Sequence, residues 1–206
     1  MFSPRLVQLS RALVVLLALV ALAACGGSRR PNVFVEPAVS LATHSRIGLV
    51  TFTADNAKGS LATLATQRFA EQLLGAQQGV ELLELGTITG PVDAAAARRL
   101  GEQHGVKTVV VGHLTVSDLK PRVTLLGGLS ASTEVTLALQ TRLLNTQSGA
   151  TVWARSSTIR ETMQSVSLAN GTAVFDAQDP GEAYGAIVNA LVSNVTSDFR
   201  GYWARQ

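Results

Sequence analysis

The feature that most constrains the fold is a regular alternation of strand-like and helix-like segments in the middle of the chain. Segments rich in β-branched and aliphatic residues lie at 46–54, 80–85 and 107–119, and each predicts a buried strand. Apolar residues at helical spacing separate these segments at 61–75 and 93–104. This order favours right-handed crossovers and therefore predicts three parallel strands in one sheet.

Cap residues mark the ends of the two predicted helices. Ser60 is the expected cap of the first helix, which ends at Gly75 or Gly79. Asp93 opens the second helix, and Gly105 stands where a left-handed residue is expected. The apolar face of the first helix comprises Leu61, Leu64, Ala65, Phe69 and Leu73.

In the second half of the chain the pattern changes. Apolar and polar residues alternate along 132–145, a tight turn follows at 146–149, and 150–162 return as a second long strand. Residues 179–199 then predict a helix with a proline in its first turn. Its apolar stripe consists of Tyr184, Ile187, Val188, Leu191, Val195 and Phe199. The predicted fold class is α/β, with a mixed sheet built as β-α-β-α-β plus an antiparallel hairpin and covered by a C-terminal helix.

Two connecting segments have features of their own. The segment 118–132 joins the third and fourth strands and holds Leu125, Leu126 and Leu129 around a glycine pair. These leucines either tuck under the last helix or form an exposed apolar tip that contacts a partner, another subunit or the membrane surface. Residues 165–178 predict one weak hairpin.

The N-terminal region carries the pattern of an export signal. Residues 1–11 hold two arginines and no acidic residue, and 12–24 form an unbroken apolar run of thirteen residues. That run is shorter than the roughly 20 residues that span a bilayer, and it matches the apolar core of a signal peptide. Small residues precede Cys25, the single cysteine of the chain. One cysteine forms no internal disulfide and no cysteine-based zinc site.

The stretch LAAC, ending at Cys25, resembles the lipobox of bacterial lipoproteins over its full four residues. The resemblance implies that Cys25 becomes the first mature residue and carries a diacylglycerol on its sulfur and usually an acyl chain on its amino group. Gly26 follows in place of an aspartate, which in enteric-type lipoproteins implies the inner leaflet of the outer membrane. The predicted organisation is a signal peptide at 1–24, a lipidated cysteine and linker at 25–45, and a single α/β domain at 46–206.

Tyr202 and Trp203 lie just beyond the last predicted helix. Two interpretations remain open for these aromatic residues. They either seal the edge of the core or lie at a lipid interface, where such side chains are favoured.

Charge argues against nucleic acid as a partner. The formal net charge of the chain is +3, and it falls to +1 once Arg5 and Arg11 of the predicted signal are removed. The other cationic residues are scattered, with no run longer than Arg29-Arg30 or Arg98-Arg99. No nucleic-acid partner is therefore expected.

The residue types that carry chemistry do not form a recognisable motif. No two of the three histidines, His44, His104 and His113, have the spacing of metal ligands, and neither a metal nor a cofactor is expected. Asp55 and Asp118 fall near predicted strand ends, where α/β proteins often place functional groups. Turn and cap chemistry is the simpler explanation for these aspartates.

Three stretches carry a wider resemblance: IGLVTFTADN at 47–56, AARRLGEQHGVKTVVVGHL at 96–114, and LALQTRLLNTQSGATVWARSS at 137–157. Together they resemble the lipoprotein superfamily that includes the curli secretion lipoprotein (CsgG-like) and the outer-membrane activators of penicillin-binding proteins. The resemblance implies a periplasmic α/β domain held at the membrane by its N-terminal lipid.

The sequence thus predicts an outer-membrane-anchored lipoprotein with no enzymatic activity. Its expected role is that of a binding, scaffold or accessory subunit in envelope assembly, export or cell-wall regulation, with envelope protein partners and homo-oligomerisation left open. One alternative is an oligomeric secretion-channel subunit of the curli type. Another is an enzyme or small-ligand binder with its site at the strand ends near Asp55 and Asp118.

Overall fold

The computed structural model describes residues 32–44, 46–124, 130–163, 167–169, 172–175, 178 and 180–205. The chain divides into two compact units, one comprising Glu36–Gly201 and the other Met1–Val35 with Tyr202–Gln206. The described strands are β1 (Asn32–Val35), β2 (Arg46–Val50), β3 (Thr53–Asp55), β4 (Ala57–Gly59), β5 (Glu81–Gly86), β6 (Thr108–Thr124), β7 (Ser130–Asn145), β8 (Thr151–Met163), β9 (Ser167–Ala169), β10 (Thr172–Phe175) and β11 (Tyr202–Arg205). The helices are α1 (Leu61–Ala76), α2 (Ala94–His104) and α3 (Pro180–Val195), with short 3-10 helices at Leu41–His44 and Ser197–Phe199.

The unit Glu36–Gly201 is built on a mixed sheet with the strand order β5-β2-β6-β7-β8. Strand β2 pairs in parallel with β5 and β6, whereas β7 pairs antiparallel with both β6 and β8. The short strand β3 continues the line of β2 and pairs with β6 further along. The predicted α/β fold class, with its parallel half and its antiparallel hairpin, is confirmed.

The sheet has helices on both faces. Adjacent residues of a strand point to opposite faces, and Val109 and Val110 of β6 accordingly belong to different cores. Val110 packs in the larger core, which is closed by α1 and α3. Val109 packs in the smaller core under α2, with Leu100 among its neighbours. Burying one such aliphatic side chain contributes about 1.5–3 kcal/mol, so both cores stabilise the sheet.

The predicted ends of α2 are confirmed, and α1 begins after Ser60 as predicted. Asp93 caps α2 by accepting a hydrogen bond from the Ala96 amide at 2.8 Å, and Gly105 ends that helix with φ 65°. Ser60 precedes α1 but makes no side-chain cap bond. Its hydroxyl is instead hydrogen-bonded to the hydroxyl of Tyr184 on α3, because Tyr184 reaches the start of α1 across the core.

The segment 118–132, predicted as a connection, is mostly strand. Strand β6 runs on to Thr124 and pairs with β7 from Ser130 onward, so the hairpin is longer than predicted. Pro121 sits just past a register irregularity between Ser117 and Lys120. Beyond Thr115 the described pairing of β6 is with β7 alone, and an edge strand beside a bulge tolerates the missing amide of proline.

A small second sheet has the order β4-β10-β9. Strands β9 and β10 form an antiparallel pair, which confirms the weak hairpin predicted within 165–178. Strand β10 also pairs in parallel with β4, so that the segment before α3 is joined to the segment before α1. No pattern in the sequence indicates this pairing, since β4 is three residues long.

The predicted linker 25–45 contains two structured pieces. Leu41, in a 3-10 helix, is buried in the larger core, and the amide of Val39 donates to the carbonyl of Asp198 at 3.1 Å. Gln77 also holds this segment, since its amide nitrogen donates to the carbonyl of Val39 at 2.7 Å. The second piece is strand β1, which pairs antiparallel with β11.

Candidate functional site

Several residues singled out by sequence fall outside the part of the chain that the structure describes. These are Cys25, Leu125, Leu126 and Leu129. Their predicted roles, lipid attachment for the cysteine and partner or membrane contact for the leucines, therefore stay predictions.

Tyr202 and Trp203 lie in β11 and are 61% and 69% exposed. Both interpretations left open by sequence, the sealing of a core edge and contact with a lipid interface, stay predictions. In the register of the β1–β11 ribbon, Trp203 stands opposite Phe34, and their ring centroids are 5.2 Å apart. Phe34 is itself 49% exposed.

Exposed apolar side chains are concentrated in this ribbon. Among the described residues, six large hydrophobic side chains are exposed, and four of them lie in the eight residues of β1 and β11. The four are Val33, Phe34, Tyr202 and Trp203. Scattered apolar residues on a surface are ordinary, but a cluster marks a contact surface.

A polar group lies where β3 pairs with β6. Nε2 of His113 is 3.1 Å from a carboxylate oxygen of Asp55, and its Nδ1 is 2.9 Å from the hydroxyl of Thr53. The strand register causes this arrangement, since it places Thr53 directly beside His113. Sequence analysis singles out Asp55 and His113 separately, and the structure brings them together.

The other candidate polar residues are dispersed. Asp118 lies within β6, three residues beyond its last pairing with β3, and His104 ends α2. His44 ends the first 3-10 helix, where burial lowers its pKa. No group of three histidine, cysteine, aspartate or glutamate side chains in the described ranges is placed to hold a metal ion.

A crevice of about 320 Å³ opens beside the His113 group. It lies at the carboxyl end of β2, under the loop that leads from β5 to α2. Its lining residues are Val50, Thr51, Thr53, Ile88, Gly90, Pro91, Val92, Val111, Gly112, His113, Gln140 and Arg142. Gln140 and Arg142 also line a shallower depression that continues over β8.

Sequence reasoning missed Gln140 and Arg142 as site residues. Both are exposed and occupy the polar positions of an alternating strand, a pattern typical of a solvated face. The register of β6 with β7 places Gln140 beside His113 and Arg142 beside Val111. No motif in the sequence indicates the crevice, because it depends on the pairing of β7 with β6.

Comparison with known proteins gives similarity of fold and no family. No family model matches the chain, and no curated protein matches it. The PelC dodecamer from Paraburkholderia phytofirmans is 15% identical over 85% of this chain and 99% of that chain, with a TM-score of 0.47. Lipoprotein GNA1162 from Neisseria meningitidis is 18% identical over 72% of this chain and 99% of that chain, with a TM-score of 0.40.

The C-terminal domain of LpoB from Escherichia coli is also similar, at 16% identity over 59% of this chain and 87% of that chain, with a TM-score of 0.40. Bacterial lipoproteins are thus among the solved structures that this chain resembles. The curli-type channel gains no support from these comparisons. At these identities the likeness concerns the fold alone and assigns no activity.

Within the described part of the chain, no helix is both long enough and apolar enough to cross a bilayer.

Proposed function

We propose that the chain is a lipoprotein anchored in the outer membrane through Cys25, acting as a non-enzymatic binding or accessory subunit of the cell envelope. The observation that carries the proposal is the sequence around Cys25, where thirteen apolar residues end in LAAC. Two or more acyl chains give stable membrane attachment, because each buried methylene contributes about 0.8 kcal/mol.

The β1–β11 ribbon supports a role at the membrane surface. Six residues separate Cys25 from Asn32, the first residue of β1, so seven Cα-to-Cα steps join them. A chain of that length spans at most about 25 Å, so the ribbon lies within about 25 Å of the attached lipid. Aromatic side chains with an apolar body and a polar edge are favoured at the membrane–water interface. We therefore assign Tyr202 and Trp203, with Phe34, to contact with the lipid headgroup region.

The uncovered face of β7 and β8 supports a binding role. Exposed side chains on this face include those of Gln140, Arg142, Ala154 and Ser156. These residues lie across from one another in the register of the two strands, since Gln140 pairs with Ser156 and Arg142 with Ala154. A polar face of this kind offers an envelope protein a surface for hydrogen bonding, with the guanidinium of Arg142 as a charged donor that a partner must pair.

Lipid attachment is tested by Cys25→Ser in cells supplied with an alkyne-tagged fatty acid. The wild-type protein should take up the label and sediment with the outer membrane, and the variant should do neither. Ser28→Ala, three residues further along, is the matched control and should behave as wild type. A wild-type protein with an unmodified sulfur in intact-mass analysis, or equal membrane association of Cys25→Ser, would contradict the proposal.

The binding role is tested in cells with a photo-crosslinking amino acid at Ser156, on the exposed face of β8. The control position is Glu102, which is exposed on α2. Specific crosslinks to one envelope protein from position 156, and not from 102, support an accessory role. Crosslinks to a second copy of the chain identify a homo-oligomer interface. Equal crosslinking from both positions, or none from position 156, would remove this face as the binding surface.

A further inference from the structure

We propose that the crevice at the carboxyl ends of β2 and β5 binds a small aliphatic carboxylate, with the guanidinium of Arg142 as the partner of its negative charge. The crevice is the cavity of about 320 Å³ described above. This inference goes beyond the proposed function and does not depend on lipid attachment at Cys25.

The position of the crevice follows from the order of the strands. After β2 the chain crosses to α1 on one face of the sheet, and after β5 it crosses to α2 on the other face. Strands β2 and β5 are neighbours, so their outgoing connections part from each other at the carboxyl end of the sheet. In open α/β sheets this parting of connections creates the crevice in which ligands bind.

The charge of the lining favours an anion. Arg142 contributes a guanidinium, and no carboxylate is among the lining residues. The neighbouring Asp55 does not line the crevice, and it lies 3.1 Å from Nε2 of His113. Within the described residues, no hydrogen bond or ion pair engages the side chain of Arg142. An arginine offers a planar pair of donors that matches the two oxygens of a carboxylate.

Polar side chains extend the site along one row of the sheet. The registers of β3, β6 and β7 align Thr53, His113 and Gln140 across three adjacent strands. Arg142 stands two residues from Gln140 on the same face of β7. The side-chain amide of Gln140 can donate to a carboxylate oxygen while Arg142 pairs with the same group. Two donors from one strand face therefore orient the anion.

The apolar lining of the crevice determines the hydrocarbon part of the ligand. Val50, Ile88, Val92 and Val111 supply aliphatic surface, with Pro91 in the loop above them. A volume of about 320 Å³ lies at the lower end of the range for ligand pockets. The site therefore suits a small molecule with a short branched or linear hydrocarbon part, such as a short-chain fatty acid.

The test uses 4-methylpentanoate and its neutral amide as probes, with the mature protein as it is isolated from cells. Binding is measured by saturation-transfer NMR and by titration calorimetry. A dissociation constant of about 1 mM is expected for a ligand of this size. The amide should bind at least about tenfold more weakly, because it lacks the charge that Arg142 pairs with.

Three variants separate the site from general effects. Arg142→Gln should weaken binding of the acid about tenfold or more, and Val111→Phe should abolish it by filling the crevice. Arg99→Gln is the matched control, since Arg99 is exposed on α2 outside the lining. Circular dichroism checks that each variant is folded. Equal binding of acid and amide, an equal loss in Arg99→Gln, or no binding of 4-methylpentanoate at about 10 mM would overturn the proposal.

Discussion

The indole nitrogen of Trp153 donates a hydrogen bond to the carboxylate of Asp198 over 3.1 Å, joining β8 to the short helix that follows α3. The same carboxylate accepts from Arg155, two residues further along β8. Phe199, next to the aspartate, packs against the indole ring with centroids 4.5 Å apart. One aspartate thus fastens the end of α3 to the sheet by a charged and a neutral donor.

Removing this carboxylate should destabilise the fold. In Asp198→Ala the buried indole of Trp153 and the guanidinium of Arg155 both lose their acceptor, and the free energy of unfolding should fall by about 1–3 kcal/mol. Urea denaturation followed by circular dichroism measures the change. Asp55→Ala is the control, because the exposed pair of Asp55 with His113 contributes about 0–1 kcal/mol. Equal losses in the two variants would show that Asp198 does not fasten α3.

Gly112 should not tolerate a side chain. A Cβ placed there would lie 2.4 Å from the ring of Phe52, which packs against the strand in the larger core. Gly112→Ala should therefore lower the free energy of unfolding by about 1–3 kcal/mol. Phe52→Leu in the same chain should recover part of that loss, since it removes the ring that the new methyl group meets.

Gly75 provides the control of opposite sign. It lies within α1, and no atom stands within 4 Å of the position that an added Cβ would take, so Gly75→Ala adds helix propensity without a clash. A gain of about 0.5–1 kcal/mol is expected in the same urea measurement. An unchanged free energy of unfolding in Gly112→Ala would mean that Phe52 moves away from the strand at little cost.

Trp203 should report contact with the bilayer. In vesicles that contain brominated lipids, tryptophan emission of the mature protein should be quenched. Trp203 is exposed and pairs with Phe34 of β1, the strand that follows the proposed attachment site at Cys25 in sequence. Trp203→Phe should abolish the quenching, because the other tryptophan, Trp153, is buried in the core. Flotation of the vesicles checks attachment separately. A protein that floats but shows the same low quenching with and without Trp203 would place the ribbon in water.

His44 should make stability depend on pH. Burial lowers the pKa of His44, so the folded state binds its proton less readily than the unfolded chain. The stability that depends on a neutral His44 is fully present above the unfolded pKa of about 6.5. It is lost as the pH falls from that value through the lower pKa of the folded state. In His44→Gln the decrease in unfolding free energy between neutral and mildly acidic pH should be smaller than in the wild type.

His104, exposed at the end of α2, is the comparison for that measurement. Urea titrations of His44→Gln, of His104→Gln and of the wild type across the same pH series isolate the effect of burial. A pH profile that is unchanged in His44→Gln would exclude this histidine as a source of acid sensitivity.

The parallel half of the fold was predictable because each element carries its own signal. The apolar face of α1, the cap at Asp93 and the left-handed Gly105 depend on residues a few positions apart. The extension of β6 past Pro121 was missed because a proline ordinarily ends a strand. Only the pairing with β7 shows that this stretch is an edge, where a missing amide leaves no partner unsatisfied.

The candidate site was predictable only in part, since it depends on contacts between distant residues. His113 and Asp55 are 58 positions apart and meet through the pairing of β3 with β6. Arg142 joins His113 at the crevice through the register of β7 with β6. Composition and spacing identify single polar residues, whereas the crevice depends on which strands become neighbours.

The pairing of Asn32 with Arg205 means that the incoming and outgoing ends of the described chain leave the ribbon on the same side. An epitope or fluorescent reporter fused after Gln206 would therefore emerge beside the end at which we propose lipid attachment, and it would crowd the lipid headgroups there.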